Sequence, residues 1–401
     1  MATKLEISDL DFDGIKTNLR NFLSQQDEFR DYDFEGSGMS VLLDLLAYNT
    51  HYLGYNANMV ANEMFLDSAD LRSSVVSKAK QVGYTPTSST SADAVVDVVV
   101  NNATGASLTM SRGTKFTTTV NGISYSFVNN TELTITPSDG VYKFSSVKLN
   151  EGTLLNFKYT ANTSDTDQRF IIPNNNVDTN TLTVKVQESS SDATTNTYTL
   201  ATGITGLDST SKVYFLQEVE NGRFEVYFGD GVLGKAIADG NIVIFDYVVC
   251  NRNAPNGATT FTLSGTVGGF SSATVTTISN ATNGAGPESI ESIKYNAPRD
   301  YTSQDRAVTA DDYKVLVKSL YANAQSVQVY GGEDAATPEY GKVFISIKAK
   351  SGTTLTESTK ASIVTSLKQY AVASVRPAII DPETTFITLN TSFKYDSTAT
   401  T

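Results

Sequence analysis

The glycine-rich segment at residues 228–234 comes nearest to a ligand-binding loop in this sequence. A Walker-type phosphate loop needs Lys followed by Ser or Thr after its last glycine, but here Gly234 is followed by Lys235 and an alanine. A calcium loop needs acids at alternate positions and a terminal Glu, and no such series is present. Asp and Gly instead favour a tight turn, in which Gly supplies positive φ and Asp accepts backbone amides. We therefore predict a structural turn between strands, made of Phe228, Gly229, Asp230 and Gly231.

The single histidine and the single cysteine restrict the chemistry further. His51 cannot form a multi-histidine zinc centre from this chain alone, and a histidine-dependent triad would have to use a residue in a predicted helix. Cys250 follows two valines in a strand pattern, which is typical of a buried small apolar residue, and it has no second cysteine to pair with. We predict no catalytic, cofactor-binding or metal-binding residues and no enzyme activity.

Carboxylate pairs are harder to dismiss, because glycoside hydrolysis needs only two and the chain has 43 acidic residues. The mixed-charge run of Arg299, Asp300, Asp305 and Arg306 is typical of surface ion pairs worth less than about 1 kcal/mol each. The rival hypothesis is therefore a β-rich extracellular binding protein or glycan hydrolase of the fibre or adhesin type.

The charge balance argues against two classes of partner. The formal net charge is −13, and no cluster of Lys and Arg offsets it, so nucleic acid and anionic membrane surfaces are disfavoured. No apolar run approaches the roughly 18–20 residues of a membrane-spanning helix, and the first residues lack the apolar core of a signal peptide. We expect no direct membrane insertion, no nucleic-acid binding and assembly in cytoplasm.

The first 87 residues have helical periodicity. Asp11 or Asp13 can cap a first helix, a second helix follows the break at residues 34–38, and a third is expected from an Asp67 or Ser68 cap to Gly83. Residues 86–91, with one proline and a Ser/Thr run, predict a linker.

The middle of the chain, to about residue 281, is rich in Val, Thr, Ser, Asn and Gly and predicts short strands. Two Asn-Gly pairs, at Asn121 and Asn221, predict hairpin turns, since a type I′ turn needs positive φ at both positions. The expected strands are Ala94–Val100, Lys115–Val120, Ile123–Val128, Glu132–Thr136, Lys212–Leu216, Arg223–Phe228 and Ile242–Val249.

The C-terminal part predicts a helix over 310–320 capped by Thr309 with Asp312, two strands at 326–330 and 342–347, and a helix over 356–373. Arg376-Pro377 is expected to stop that helix before a strand at 384–394, so that helices cover one face of an antiparallel sheet. The predicted fold class is multidomain α+β, with an N-terminal helical segment, a β-rich middle and a small C-terminal α+β domain. The expected domain limits are 1–87, 88–290 and 291–401.

Four stretches carry a resemblance to a known family, and they occur in the family's order. They are the N-terminal FEGSGMSVLLDLLAYNTHYLGYNANMVANEMFLD, the FGDG segment, the run GAGPESIESIKYNAPRDYTSQDRAVTADDYKVLVKSLYANAQSVQV and the Val-Arg-Pro at 375–377. Together they resemble the baseplate J-like family, which includes the large baseplate wedge subunits of T-even-like contractile-tailed bacteriophages.

This resemblance implies a structural virion protein of the tail baseplate. Such subunits form a homodimer within each wedge, join other wedge subunits through N-terminal helices, form a ring around the central tail hub, and rearrange on sheath contraction. Hinges near Ser88 and Pro298 would permit that rearrangement.

The N-terminal helices carry more large apolar side chains than about ninety residues of short helices can bury alone. Aromatic residues and Met are enriched at interface centres, so we predict that these side chains contact other wedge subunits. The alternative is that they pack on the β-rich domain of the same chain. The candidate interface residues are Leu45, Tyr48, Tyr52, Tyr55, Met59, Met64 and Phe65.

Overall fold

The computed structural model describes residues 11–26, 37–201, 206–303, 306–349 except 322 and 336, 354–383 except 373, and residue 391. The chain divides into two compact units, Met1–Arg306 and Ala307–Thr401. In the described part of the first unit the helices are α1 (Phe12–Leu23), α2 (Gly38–Glu63), α3 (Arg72–Gln81) and α4 (Ile290–Ser303).

Side-chain caps fix where the first two helices begin. The Asp11 carboxylate accepts a hydrogen bond from the Gly14 amide at 3.1 Å, which confirms the predicted cap of α1. Ser37 caps α2 in the same way. The predicted cap of α3 at Asp67 or Ser68 is wrong, because α3 begins after Leu71, which has no side-chain cap. The carboxylate of Glu63 instead accepts from the Leu71 amide at 3.3 Å and so ties the end of α2 to the start of α3.

The sequence analysis did not predict helix α4, because Pro298 lies inside it. Proline removes one backbone hydrogen bond and normally marks a break. The helix persists because its buried face, with Ile293 and Ala297, packs against Val75 and Ala79 of α3. Tertiary packing thus overrides the local signal, and Pro298 is no break.

The strands of the first unit are β1 (Asp93–Val100), β2 (Leu108–Met110), β3 (Lys115–Val120), β4 (Ile123–Asn129), β5 (Leu133–Ile135), β6 (Tyr142–Glu151), β7 (Thr153–Thr160), β8 (Phe170–Ile171), β9 (Val177–Ser189), β10 (Asp192–Leu200), β11 (Val213–Glu218), β12 (Phe224–Phe228), β13 (Ile242–Val249), β14 (Thr262–Leu263) and β15 (Ala273–Thr282). One sheet has the order β14-β3-β4-β6-β1-β15, a second has β7-β13-β9-β10-β11-β12-β8, and β2 pairs with β5. The two large sheets each enclose an apolar core, with Phe116 and Phe127 in the first and Val226 and Phe245 in the second.

Both predicted Asn-Gly turns are confirmed. Asn121 and Gly122 have φ of 51° and 80°, and they join β3 to β4 in an antiparallel pair. Asn221 and Gly222 have φ of 61° and 70° and lie between the antiparallel strands β11 and β12. Positive φ at both positions is what the type I′ turn requires.

The predicted linker at residues 86–91 is wrong, because this stretch is part of the packed structure. Ser88 is 2% exposed, and its hydroxyl lies 2.8 Å from the hydroxyl of Thr179. Thr90 forms a backbone bridge with Ala285. Polar residues alone predict a solvated loop, whereas here their side chains and backbone bond to strands far along the chain.

A network of charged groups joins the helices to the second sheet. Arg72 of α3 binds both carboxylate oxygens of Glu218 on β11, at 2.7 and 2.8 Å. Arg72 also donates to the backbone carbonyl of Glu288, just before α4. The Glu288 carboxylate accepts from the Tyr84 hydroxyl at 2.8 Å and from the Asn296 amide at 2.9 Å. Helices α3 and α4 are thereby fixed to each other and to β11.

The second unit contains α5 (Ala310–Leu320), β16 (Ala324–Gly331), β17 (Lys342–Ala349), α6 (Glu357–Leu367) and β18 (Arg376–Ile380). The predicted capping box is confirmed, since Thr309 accepts from the Asp312 amide and Asp312 accepts from the Thr309 amide. The side chains of Leu316, Ile345 and Leu367 belong to the core of this unit.

The predicted antiparallel sheet of this unit is wrong in one pair. The sheet has the order β16-β17-β18, in which β16 and β17 are antiparallel but β17 and β18 are parallel. A parallel pair needs a crossover, and α6 provides it. Arg376-Pro377 begins β18 instead of preceding a distant strand, and the strand predicted at 384–394 lies outside the described residues apart from residue 391.

Candidate interaction surface

The candidate surface is carried by α2, the longest helix among the described residues. Its 26 residues extend about 39 Å at 1.5 Å per residue. Helix α1 packs beside it, and Lys16 forms an ion pair with Asp44 at 2.5 Å. The other end of α2 is held near α3 through Glu63. The helix is therefore supported at both ends.

Only a narrow stripe of α2 is buried by the described residues. The buried residues are Ser40, Leu43, Ala47, Asn58 and Ala61. Much of the opposite surface consists of large apolar side chains exposed to solvent. A helix that is apolar around most of its circumference is normally buried on several sides.

The exposed apolar positions follow two parallel heptad seams. The first seam has spacing 4-3-4-3-4 and consists of Val41, Leu45, Tyr48, Tyr52, Tyr55 and Met59. The second seam has the same spacing one residue further on and consists of Leu42, Leu46, Asn49, Leu53, Asn56 and Val60. All twelve side chains are exposed. The alternating spacing of four and three repeats every seven residues, and a repeat of seven is the pattern of helices that pack in a left-handed coiled coil.

The seven predicted interface residues are all exposed, from 43% for Met59 to 62% for Leu45. Five of them lie in the first seam, and the other two, Met64 and Phe65, directly follow the end of α2. Tyr48 and Tyr52 lie one turn apart with ring centroids 4.7 Å from each other, and their mutual hydrogen bond raises the pKa of Tyr48. The alternative that these side chains pack on the β-rich domain does not match their exposure in the described structure.

The candidate interface residues predicted from the sequence did not include the second seam. Its signal was present, because Leu42, Leu46, Leu53 and Val60 share the spacing of the first seam. The two asparagines within it interrupt the apolar pattern, which made the seam less visible. A polar Asn within a heptad seam commonly fixes the register of packed helices at a cost in stability.

The predicted turn at Phe228–Gly231 begins at the last residue of β12. The Asp230 carboxylate accepts from the amides of Val232 and Leu233 at 2.9 and 3.0 Å, and these bonds lower the pKa of Asp230. A Cβ on Gly229 would lie 2.3 Å from the Leu233 carbonyl oxygen. The turn is thus held by the Asp230 carboxylate and by close backbone approach at Gly229.

The remaining singled-out residues do not converge on one site. His51 is half-buried in α2 with its ring edge-on to Tyr52, while Cys250 is buried, and burial raises its thiol pKa to about 12. The guanidinium of Arg299 lies 3.6 Å from the centre of the Tyr295 ring. Throughout the described ranges, no group of three or more His, Cys, Asp or Glu side chains is arranged to hold a metal ion. Within the same ranges, no helix combines the length and apolarity needed to cross a membrane.

Two buried carboxylates lie near Cys250 without a cationic partner in the described structure. Asp178 accepts from the amide and hydroxyl of Ser91 at 2.9 and 2.6 Å. Glu151 accepts from the backbone and side-chain amides of Asn251. Burial raises the pKa of both carboxyls, and the hydrogen bonds only partly oppose it. Such groups can be catalytic, but here their oxygens are engaged by structural donors.

Comparison with known proteins defines the class. Residues 11–84 match the family "Baseplate wedge protein gp6-like, helical domain". Residues 156–254 match "Bacteriophage baseplate wedge protein gp6, third domain", and residues 309–380 match "Baseplate structural protein gp6, C-terminal domain I". The helical segment, the second sheet and the second unit are therefore those of a bacteriophage baseplate wedge protein.

A curated relative gives the same result over nearly the whole chain. The baseplate wedge protein gp6 of Enterobacteria phage T4 is 31% identical over 411 residues, which cover 96% of this chain and 60% of the relative. The three family matches and this relative together support a baseplate wedge subunit, and the expected resemblance to large wedge subunits is confirmed. It spans about three fifths of the length of that relative.

One solved structure also aligns with most of the chain. A chain in the cryo-EM structure of the anti-feeding prophage baseplate, 6-fold symmetrised, covers 92% of this chain, and 70% of that chain is covered in return. The identity is 11% and the TM-score is 0.32, a similarity too slight to define the fold.

Proposed function

We propose that this protein is a non-enzymatic structural subunit of a phage baseplate wedge, held in the virion by packing of partner helices on α2. The observation that supports the proposal is the pair of exposed heptad seams on that helix. The family matches are to baseplate wedge proteins, and the heptad spacing of the seams favours helices as the partners.

The geometry of the seams favours helical partners over other occupants. Each seam extends over five turns of one continuous helix and offers rows of side chains at the spacing of knobs-into-holes packing. Because the seams lie about 100° apart on the helix, one partner helix cannot cover both. We therefore expect two partner helices, one along each seam, contributed by other wedge subunits or by a second copy of this chain.

The proposal extends to the finer roles expected of the family. The subunit forms a homodimer within each wedge, contributes to the ring around the central tail hub, and changes its arrangement when the sheath contracts. It assembles in the host cytoplasm and enters the virion tail. The three-part division at residues 87 and 290 is retained as a proposal about its domains.

The contacts at Ser88 and Pro298 argue against the hinges expected at these two positions. Ser88 is buried and bonded to β9, and Pro298 lies within α4, where packing on α3 holds it. Rotation at either point would break buried contacts.

The test uses point substitutions in α2. A deletion through residue 85 would remove Val75 and Ala79 from the core that they form with α4, and it would leave Glu218 without Arg72. We expect Leu45→Glu with Tyr52→Glu to leave the chain folded but to weaken its capture of other wedge subunits roughly 30- to 700-fold, the effect of losing about 2–4 kcal/mol at interface centres.

The matched control is Ile278→Glu, which places the same charge at a 56%-exposed apolar residue of the first sheet. Capture by this variant should equal that of the unchanged protein. Equal capture by the α2 variant, or specific glycan binding and turnover by the isolated chain, would contradict the proposal. The second result would favour the fibre or adhesin class.

A further inference from the structure

A cleft of about 820 Å³ lies between α3 and the hairpin formed by β11 and β12. Its lining includes serines of α3, the turn at Asn221 and Gly222, and four cationic side chains. The volume is within the roughly 300–1,000 Å³ of typical ligand sites, but the lining is more polar than usual. The four cations are Arg72, Lys80, Arg169 and Arg252.

Two of the four cations are neutralised by the chain itself. Arg72 is paired with Glu218 at 2.7 Å, and Arg169 is paired with Glu225 at 2.7 Å. Glu220 lies close enough to Arg169 to help raise its pKa. These bidentate pairs hold two guanidinium groups in fixed positions along the cleft.

The other two cations have no carboxylate bonded to them among the described residues. Lys80 is an exposed residue of α3 with neither a hydrogen bond nor an ion pair in that part of the chain, although its charge adds to that of Arg169 in lowering the pKa of Glu225. Arg252 is also exposed, and its Nε donates to the side-chain oxygen of Asn176 at 3.1 Å. That oxygen belongs to a neutral amide, so it orients the guanidinium without cancelling its charge.

We propose that this cleft binds an acidic segment of a neighbouring baseplate protein, with Lys80 and Arg252 as its anchoring cations. The inference rests on the proposed function for the presence of such a neighbour. Charge selects the occupant, because Lys80 and Arg252 carry positive charge at the cleft without a bonded carboxylate, whereas Glu220 is the one lining carboxylate among the described residues that is not bonded to an arginine. A carboxylate can accept from the Lys80 ammonium and from the free guanidinium edge of Arg252. The lining contains no residue of α2, so this surface is distinct from the seams.

The experiment offers the intact protein a hexaglutamate peptide, with hexaglutamine as the uncharged control. Carbodiimide coupling followed by mass spectrometry identifies the lysine that the peptide carboxylates approach. We expect coupling at Lys80 to exceed coupling at Lys158, an exposed lysine on β7 with no partner in the described structure. Lys80→Gln with Arg252→Gln should weaken peptide binding at least roughly tenfold, as expected for the loss of charge-assisted contacts, and Lys158→Gln should not.

Several results would overturn the proposal. Equal binding of hexaglutamine, equal coupling at Lys158, or unchanged affinity of the double variant would remove the acidic-segment site. Equally effective competition by inorganic phosphate would reassign the cleft to small anions. None of these results would change capture through α2, which the seam substitutions report, so the two proposals fail separately.

Discussion

The ion pair between Arg72 and Glu218 gives the sharpest prediction about stability. The Glu218 side chain is 2% exposed, whereas that of Arg72 is 27% exposed. Replacing Arg72 by Met leaves a buried carboxylate without its partner. Removing one partner of a buried pair costs about 3–5 kcal/mol, and the partial exposure of Arg72 places the expected cost near the lower limit.

Hydrogen exchange measured by mass spectrometry is the suitable assay, because a chain with two compact units need not unfold in one step. A loss of about 3 kcal/mol corresponds to roughly 100-fold faster exchange of the protected amides of α3, β11 and β12. Adding Glu218→Gln to Arg72→Met should restore much of the protection, since the buried charge is then absent.

Arg169→Met is the matched control. Arg169 also binds a carboxylate through two bonds, but its side chain is 48% exposed, and Glu225 keeps a hydrogen bond from Gln217 at 2.6 Å. We expect a cost of only about 1 kcal/mol there. Two results would contradict this prediction. One is that Arg72→Met accelerates amide exchange no more than Arg169→Met does, and the other is that the added Glu218→Gln lowers protection further.

Three further predictions concern local features. Gly229→Ala should destabilise the protein more than Gly122→Ala, because a Cβ at Gly229 would lie 2.3 Å from a backbone oxygen. A Cβ at Gly122 would meet open space, so that variant should lose only about 1 kcal/mol of stability through its positive φ. Thermal unfolding of both variants measures the difference. The wild type should gain stability relative to Asp178→Asn as pH falls from 7 towards 4. Burial raises the pKa of Asp178 in the folded protein, so the folded carboxyl binds its proton at a higher pH than the unfolded one does. Urea midpoints at each pH measure the difference, and a gain in stability at high pH would contradict the prediction. The native Cys250 thiol should resist iodoacetamide at pH 8 until the protein is denatured, because its pKa is about 12, and rapid native labelling would show that it is accessible.

The features that the sequence predicted well are those fixed by neighbours along the chain. The Asn-Gly turns, the Asp11 cap and the Thr309 capping box each depend on a few adjacent residues. The apolar face of α2 was also visible, because helical spacing reveals it without knowledge of the rest of the fold.

The features that the sequence did not predict depend on residues far apart. Arg72 and Glu218 are separated by 146 positions, and nothing local to either residue indicates the pair. Likewise, Ser88 belongs to a stretch typical of linkers and is buried only because β9 lies beside it. The parallel pair of β17 and β18 follows from the path of α6, which residue patterns do not specify.

Both seams of α2 should be covered by protein in the assembled baseplate. Hydroxyl-radical footprinting of the isolated chain and of assembled baseplates tests it most directly, with Tyr52 and Met59 reporting on the first seam and Leu53 on the second. We expect strong labelling of all three in the isolated chain, strong protection after assembly, and unchanged labelling of Ile278. Equal labelling of the seam residues in both states would contradict it.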